Sequence, residues 1–337
     1  MRQRLLGWSG LRVSELCLGS LTFGESKPWG ADADAAKAIL AAFADAGGTF
    51  IDTAPNYADG AAEEIVGRFI AGRRADFVVA TKYTAANRRH PLAGGNSRKS
   101  LIQSLEGSLR RLGTDHVDLL WLHYWDGTTP LEEILRALDD LVRAGKLLYV
   151  GMSDTPAWLA SRAATMAEWR GWSRPIATQL EYNVASRAAE RELLPMAEAL
   201  DLGVVCWGPL AAGALAYGAT PRRRAAAALP PGLVDVAAKL ARLAEEMGTT
   251  SIALALRWLM QRPGGGCIPL IGARTVEQVR AVIAAAGDPV TTATIEAVDG
   301  LAPPDLGFPH MLIGTSYLRK LALGDPAAFD PPERPRC

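Results

Sequence analysis

The sequence predicts an α/β fold, a (β/α)8 TIM barrel with an N-terminal hairpin, an extra helix and a C-terminal tail. Three observations lead to this prediction. Short apolar runs recur eight times, longer amphipathic segments lie between them, and no two of these runs follow each other directly. Such alternation is typical of a parallel sheet covered by helices. Eight units can close into a barrel, whereas an open doubly wound sheet seldom keeps so regular a count.

The predicted strands are short and bounded by turn residues. In chain order they are ELCLG (15–19), TFID (49–52), FVVATK (77–82), VDLLWLH (117–123), LLYVGMS (147–153), IATQ (176–179), GVVCW (203–207) and CIPLIG (267–272). The helical patterns between them include ADAAKAILAAFADAG, SRKSLIQSLEGSLRRLG and PLEEILRALDDLVRAG. Each of these three ends in glycine, the residue most favoured just past a helix C-terminus.

Three segments fall outside the repeat of the single domain predicted for residues 1–337. Residues 1–13 read as an N-terminal hairpin that could plug the lower end of the barrel. Residues 208–266 are too long for one loop and one helix, and they hold two helical patterns, LVDVAAKLARLAEEMG and SIALALRWLMQR. Residues 300–337 are rich in proline and predict an irregular C-terminal segment.

Composition argues against several classes of protein. The chain has 337 residues with 36 basic and 36 acidic side chains, so no net charge attracts nucleic acid or anionic lipid. The uncharged stretch 202–219 approaches the length of a membrane span, but Pro209 and several glycines favour a short strand and a loop. Four scattered cysteines form no C-x-x-C pair, and the N-terminus lacks the apolar core of a secretory signal. We therefore expect a cytoplasmic protein without nucleic-acid or membrane partners.

Four ionisable side chains follow three successive strands of the predicted barrel: Asp52, Tyr57, Lys82 and His123. Each has an ordinary structural interpretation, respectively a helix cap, a turn aromatic, a solvated charge and a hydrogen-bonded half-buried histidine. The carboxyl ends of barrel strands meet at one rim, where barrel enzymes place their active sites.

Together the four groups suit the interconversion of a carbonyl and an alcohol, given a source of hydride. A lysine ammonium lowers the pKa of a nearby phenol, and an aspartate keeps that ammonium charged. Tyr57 then becomes a usable proton donor, and His123 can hold the substrate oxygen.

At this point the sequence resembles the aldo-keto reductases over nearly its whole length, in particular their aryl-alcohol dehydrogenase and bacterial ketoreductase branch. The motifs that carry the resemblance are FIDTAPNY-x-x-G, VATK, LGTDHVDLLWLH, AGKLLYVGMSD, QLEYN and PLIGARTVEQ, in the family's order and spacing. The resemblance implies a (β/α)8 barrel that binds a nicotinamide dinucleotide without a Rossmann domain. It also implies that Asp52, Tyr57, Lys82 and His123 form the catalytic tetrad, which we call the tetrad below.

The resemblance further implies a set of cofactor contacts. Ser153, Asp154 and Gln179 match positions that bind the nicotinamide carboxamide, and Trp207 matches an aromatic residue that stacks on the ring. Gly208 and Leu210 belong to WGPLAAG, which matches the stretch whose backbone meets the pyrophosphate. Gly272, Arg274 and Gln278 match the site of the adenosine 2′-phosphate, and a guanidinium at a helix N-terminus favours NADPH over NADH.

The sequence departs from the family pattern at several of these positions. Asp154 stands where the family usually has asparagine, Gly208 where serine is common, and Ala212 where a glycine is usual. Asp154 can still accept a hydrogen bond from the carboxamide. Ala281 and Val282 replace the Glu-Asn pair that commonly holds the adenine edge, which implies weaker recognition of adenine.

Two tryptophans are candidates for the substrate pocket. Trp29 and Trp125 match loops that shape the pocket in the family, although either could instead pack beneath its own loop. The run 222–224, Arg-Arg-Arg, could cover cofactor phosphates, but a solvated loop face is the more ordinary interpretation. The histidines show no metal-ligand spacing, so no metal site is predicted.

The sequence thus predicts an NADPH-dependent oxidoreductase that reduces an aldehyde or ketone, with Tyr57 as general acid. An aryl aldehyde, a polyketide-type ketone and a keto-sugar all remain candidate substrates. The alternative is a non-catalytic or weakly catalytic NADPH-binding module, because channel β-subunits resemble the same family and keep the tetrad. A barrel lyase or isomerase using the same rim is a third reading. The sequence does not address the oligomeric state.

Overall fold

The computed structural model describes residues 1–26, 28–86, 90, 92–216, 229–313, 315–324 and 328. Eight parallel strands form a closed barrel. Their bounds are β3 Cys17–Gly19, β4 Phe50–Asp52, β5 Val78–Tyr83, β6 Val117–Leu122, β7 Leu147–Ser153, β8 Pro175–Glu181, β9 Gly203–Trp207 and β10 Ile268–Ile271. Neighbouring strands follow the order β10-β3-β4-β5-β6-β7-β8-β9 around the barrel. All eight predicted strands are confirmed, and so is the (β/α)8 barrel.

An antiparallel hairpin of β1 Gln3–Leu5 and β2 Arg12–Ser14 precedes the barrel. Leu6, in the turn of the hairpin, is fully buried in one cluster with the barrel residues Phe50 and Trp121. Gly7 adopts φ +56°, and a Cβ added there would lie 2.1 Å from the carbonyl oxygen of Ile176, at the start of β8. The hairpin therefore closes the barrel at the amino ends of its strands.

Helices cover the outside of the barrel. They are α1 Ala33–Asp45, α2 Ala61–Ile70, α3 Arg98–Leu112, α4 Leu131–Arg143, α5 Ala157–Arg170, α6 Leu193–Ala199, α7 Pro231–Glu246, α8 Ser251–Met260, α9 Val276–Gly287 and α10 Thr292–Asp299. Polar N-caps begin several of them: Asp32 accepts a hydrogen bond from the Ala35 amide at 2.8 Å, and Thr275 does the same for Gln278 at 3.3 Å. Gly113 ends α3 at φ +64°, as the glycine pattern predicts.

The C-terminal segment differs from the prediction. Within 300–337, which the sequence predicts as irregular, two short helices form, α11 His310–Ile313 and α12 Ser316–Leu323. The Thr315 side chain caps α12 by accepting a hydrogen bond from the Leu318 amide at 3.3 Å. Prolines on both sides of this stretch conceal its helical pattern in the sequence.

The uncharged stretch 202–219 forms strand β9 and then a 3-10 turn at Ala211–Gly213, while residues 217–219 lie outside the described part. In the part of the chain that the structure describes, we find no helix with the length and apolar character needed to cross a membrane.

Candidate functional site

The tetrad residues lie at the carboxyl ends of three neighbouring strands. Asp52 is the last residue of β4, Lys82 is the penultimate residue of β5, and His123 directly follows β6. These strands pair in parallel, with Asp52 opposite Ala80 and Lys82 opposite Trp121. Because adjacent parallel strands end at the same rim, the three side chains face one region. Asp52 and Lys82 are buried there.

Tyr57 reaches the same region from a tight turn after β4. The 3-10 turn Tyr57–Gly60 contains Ala58 at φ +47° and Asp59 at φ +53°, followed by Gly60 at φ +98°. A Cβ added to Gly60 would lie 2.7 Å from the Arg111 side chain, so this position needs glycine for space as well as for its backbone angle.

Lys82 stands at the centre of the tetrad. Its Nζ forms a hydrogen-bonded ion pair with Asp52 and also donates to the carbonyl oxygen of Thr53 at 3.1 Å. The same Nζ lies 4.8 Å from the centroid of the Tyr57 ring. The Tyr57 and His123 rings meet edge to face, with centroids 6.4 Å apart. The structure therefore brings the four predicted side chains together.

The pKa of Tyr57 differs from the sequence-based expectation. Burial raises it above its ordinary value, and this effect outweighs the charge and hydrogen bond of Lys82, which lower it. The expected net lowering is therefore wrong for this structure. The error has a physical cause, because the sequence shows that a lysine is nearby but does not show how far the phenol is desolvated.

Lys82 and His123 have well-defined charge states. Burial alone would lower the pKa of Lys82, but the charge and the hydrogen bond of Asp52 raise it well above its ordinary value. The ammonium is therefore charged. Burial, together with the positive charge of Lys82, lowers the pKa of His123 to about 3. The imidazole is therefore neutral at neutral pH, and its Nδ1 has no hydrogen-bond partner among the described residues.

Ser153, Gln179 and Asp154 adjoin the tetrad at the ends of β7 and β8. Gln179 donates from Nε2 to Oδ2 of Asp52 at 3.0 Å, so that the remaining Asp52 oxygen is also occupied. Ser153, the last residue of β7, is buried, and its Oγ has no hydrogen-bond partner in the described residues. Asp154 adopts φ +41°, and its amide donates to the carbonyl oxygen of Gln179 at 3.0 Å.

Trp207, the last residue of β9, is tied to this group by a hydrogen bond. Its indole Nε1–H donates to Oδ1 of Asp154 at 2.9 Å. The sequence places both residues at the cofactor site but does not predict this contact, because it depends on the left-handed backbone of Asp154. The bond fixes the orientation of the indole ring at the rim.

The residues after Trp207 form a turn of unusual backbone geometry. Gly208 has φ +67°, and its carbonyl oxygen accepts a hydrogen bond from Asn183 Nδ2 at 3.0 Å. Ala212 has φ +56° and follows Leu210, a half-buried residue that packs against two core clusters. Asn183 belongs to the motif QLEYN, but no role is predicted for it from the sequence. Its contact shows that it supports this turn.

Gly272, Arg274 and Gln278 lie together around the N-terminus of α9. Arg274 precedes the N-cap of the helix, and its amide donates to Oε1 of Gln278 at 2.8 Å. The side-chain oxygen of Gln278 is therefore already occupied by a hydrogen bond within the protein. Val282 is buried in the core cluster that contains Ile39 of α1, so its side chain faces the barrel. Ala281 is exposed.

The two tryptophans predicted for the substrate pocket are both half-buried. Trp125 packs against two core clusters and meets Trp158 of α5 edge to face, with centroids 5.7 Å apart. These contacts agree with the alternative given for Trp125 above, in which it packs beneath its own loop. Trp29 lies in the loop after β3. Residues 222–224 lie outside the described residues.

With this geometry established, comparison with known proteins decides the family. The profile of the Aldo/keto reductase family matches residues 15–303. The chain belongs to this family. Norsolorinic acid reductase stcV of Emericella nidulans is 36% identical over 329 residues, which cover 93% of this chain and 84% of that protein. Aryl-alcohol dehydrogenase [NADP(+)] of Phanerodontia chrysosporium is 33% identical over 334 residues, covering 90% and 86% respectively.

A third relative is the putative aryl-alcohol dehydrogenase AAD14 of Saccharomyces cerevisiae, 33% identical over 91% of this chain and 88% of that protein. The predicted resemblance is thus confirmed for the family and for the aryl-alcohol dehydrogenase side of its branch. Membership in the aldo/keto reductases makes the chain an oxidoreductase, and the names of its relatives support carbonyl reduction.

Asn96 and Asp126 form a further polar group near the rim of this aldo/keto reductase. Asn96 is buried; its amide donates to Asp126 Oδ2 at 2.7 Å, while its Oδ1 accepts from the Asp126 amide at 2.6 Å. Asn96 Nδ2 also donates to Thr84 Oγ1 at 2.7 Å. These bonds join the loop after β5 to the loop that follows His123. Sequence reasoning missed the pair, since the two residues lie 30 positions apart with no motif linking them.

A cavity of about 410 Å³ lies between the loop after β5 and helix α3. Its lining includes Pro55, Thr84, Gln103 and Arg110, and it contains no predicted site residue of this aldo/keto reductase. This cavity is therefore separate from the candidate site at the tetrad. Across the described residues, no cluster of three or more histidine, cysteine or acidic side chains is suited to hold a metal ion.

Proposed function

We propose that this aldo/keto reductase is an NADPH-dependent oxidoreductase that reduces an aldehyde or ketone to an alcohol, with Tyr57 as general acid. The observation that carries the proposal is the convergence of Tyr57, Lys82 and His123 around one point at the rim, with Asp52 behind Lys82. A phenol and an imidazole facing the same space can both reach one substrate oxygen.

The residues at the rim fit a nicotinamide dinucleotide. A buried hydroxyl without a partner is uncommon, and Ser153 Oγ is such a group beside Asp154 and Gln179. Trp207 offers an aromatic face whose orientation is fixed by Asp154. When bound, the dinucleotide supplies the hydride. Ser153, Asp154 and Gln179 would hold its carboxamide, and the turn that contains Gly208 and Leu210 would meet its pyrophosphate.

The preference for NADPH rests on the N-terminus of α9. Gly272 and Arg274 lie there, and an amino-terminal helix end with a guanidinium is a good site for a phosphate. The name of one relative, aryl-alcohol dehydrogenase [NADP(+)], supports the same preference. Gln278 would act mainly by capping the Arg274 amide.

Proton transfer follows from the charge states of the tetrad. The raised pKa of Tyr57 keeps the phenol protonated, so it can give its proton to the carbonyl oxygen as that oxygen gains negative charge. The Lys82 ammonium, held charged by Asp52, then stabilises the phenolate that remains. Neutral His123 donates a hydrogen bond from one ring nitrogen and so holds the substrate oxygen in place.

Among the candidate substrates, the name aryl-alcohol dehydrogenase favours an aryl aldehyde in the direction of reduction. Trp29, in the loop after β3, and Trp158, exposed at the start of α5, supply aromatic surface near this rim. A ring system could stack on such a surface.

The proposal is tested by following NADPH oxidation with 4-nitrobenzaldehyde and other aromatic carbonyl compounds. Tyr57→Phe removes only the phenolic hydroxyl, and we expect kcat to fall by about 10²- to 10⁴-fold because the general acid is lost. The affinity for NADPH, measured by calorimetry, should stay within about twofold. A wild-type protein that binds NADPH but reduces nothing across a broad panel would instead favour the binding-module function.

A further inference from the structure

The tetrad and the residues beside it carry an excess of negative charge. Lys82 is the one cation among them, His123 is neutral and Tyr57 is protonated. Two carboxylates face this single cation, Asp52 and Asp154. Asp52 is matched by Lys82 in a buried ion pair.

Asp154 has no cationic partner at ion-pair distance in the described residues. Its Oδ1 accepts a hydrogen bond from the neutral indole of Trp207 at 2.9 Å. Asp154 is exposed as a residue, and partial burial of its carboxylate raises its pKa above the ordinary value. The charge of Lys82 lowers the pKa of Asp154 somewhat, but Lys82 already pairs with Asp52, so the described site holds one carboxylate more than it holds cations.

The two redox forms of a nicotinamide differ by one unit of charge at the ring: the oxidised ring is a cation, and the reduced ring is neutral. A fixed carboxylate at the edge of the ring site attracts the cation and gains nothing from the neutral ring. A bound ring also excludes water from Asp154, which strengthens that attraction. An asparagine at this position would offer the same hydrogen-bond acceptor without the charge.

We infer that Asp154 makes this site favour the oxidised over the reduced nicotinamide dinucleotide. The inference rests on the proposed function, since it requires the ring to bind beside Trp207. Its consequence is that the bound cofactor is a stronger hydride donor, because the protein stabilises the product of hydride loss. Asp154 thus helps to set the driving force of carbonyl reduction without touching the substrate oxygen.

The test measures the dissociation constants of NADP⁺ and NADPH by calorimetry at pH 8, for the wild type and for Asp154→Asn. Asparagine tolerates the φ of +41° and keeps an oxygen for the Trp207 bond, so the variant removes charge with little change of shape. We expect the ratio of the NADP⁺ constant to the NADPH constant to rise about fivefold in the variant. This change corresponds to a midpoint potential of the bound two-electron couple about 20 mV higher than in the wild type.

Asp59→Asn is the matched control. Asp59 is an exposed carboxylate in the loop that carries Tyr57, and it also has a positive φ that asparagine tolerates. We expect this variant to leave the ratio unchanged. If Asp154→Asn weakens both forms equally, the residue has a structural role only and the inference is wrong, although the proposed function stands. If the wild type binds neither form, the proposed function and the inference fail together.

Discussion

His123 shows how one residue ties the chemistry of the rim to the stability of the fold. It lies beside a permanently charged ammonium, and burial together with that charge lowers its pKa to about 3. A protonated imidazole would meet repulsion from Lys82, so the folded protein holds this residue in its neutral form. Neutrality suits its proposed task, because a neutral ring holds the substrate oxygen without competing with Tyr57 as a proton donor.

This pKa has a consequence for stability at acid pH. The unfolded chain binds a proton at His123 below about pH 6.5, whereas the folded chain does not do so until about pH 3. The stability contribution is therefore complete above pH 6.5 and falls as the pH decreases toward 3. At pH 5 we expect a loss of about 2 kcal/mol from this residue. Urea denaturation at pH 7 and pH 5 measures it.

The comparison requires a variant that cannot titrate. His123→Gln should lose about 2 kcal/mol less than the wild type between these two pH values. His116→Gln serves as control, because the His116 side chain pairs with the exposed Asp115 and such exposed pairs contribute little. Equal losses in the wild type and in His123→Gln would show that the imidazole is not held neutral.

Helix α9 is the element that carries the proposed phosphate site. Thr275 caps its first turn, and the Gln278 side chain occupies the Arg274 amide. Arg274, which directly precedes the N-cap, is half-buried. A helix N-terminus and a guanidinium both favour a negative charge, which is why we propose the phosphate contact at this position.

The proposed phosphate contact predicts a selective loss. Arg274→Ala should raise the KM for NADPH by about tenfold or more, since a charge-assisted bond is lost, and should leave the KM for NADH nearly unchanged. Steady-state kinetics with both cofactors measures the two effects. Arg280→Ala, an exposed arginine on the same helix, should change neither value. An equal rise for NADPH and NADH in Arg274→Ala would contradict the contact with the 2′-phosphate.

At the scale of the whole molecule, the barrel separates the residues that close the fold from those proposed to react. The hairpin β1–β2 seals the amino ends of the strands, and the tetrad occupies the carboxyl ends. Gly7 allows this close packing, because any side chain there would clash with the carbonyl oxygen of Ile176.

Gly7→Ala should therefore lower the free energy of unfolding by at least about 2 kcal/mol, through both the positive φ and the steric clash. Gly10→Ala in the same hairpin is the control, since a Cβ there meets no atom within 4 Å, and we expect a change within about 0.5 kcal/mol. Chemical denaturation measures both variants. Similar stabilities for the two would show that the hairpin does not seal the barrel tightly.

Much of this architecture can be predicted from the sequence, because its signals are local. Apolar runs and glycine caps place every barrel strand, and the strand ends bring Asp52, Lys82 and His123 to one rim. The pKa of Tyr57 is not predictable in this way, since it depends on burial by distant segments. The Asp154–Trp207 bond likewise depends on a backbone angle that no spacing reveals.

The bonds around Asp52 bear on how the rim meets a ligand. Lys82 holds one of its oxygens and Gln179 the other, and all three residues are buried near the carboxyl ends of their strands. Both side chains are therefore already held in one conformation. Asp52 and Lys82 lose little further conformational entropy when a ligand binds. The entropic cost of ordering these groups is met during folding. A ligand that binds at the rim therefore meets an ammonium that is already preorganised.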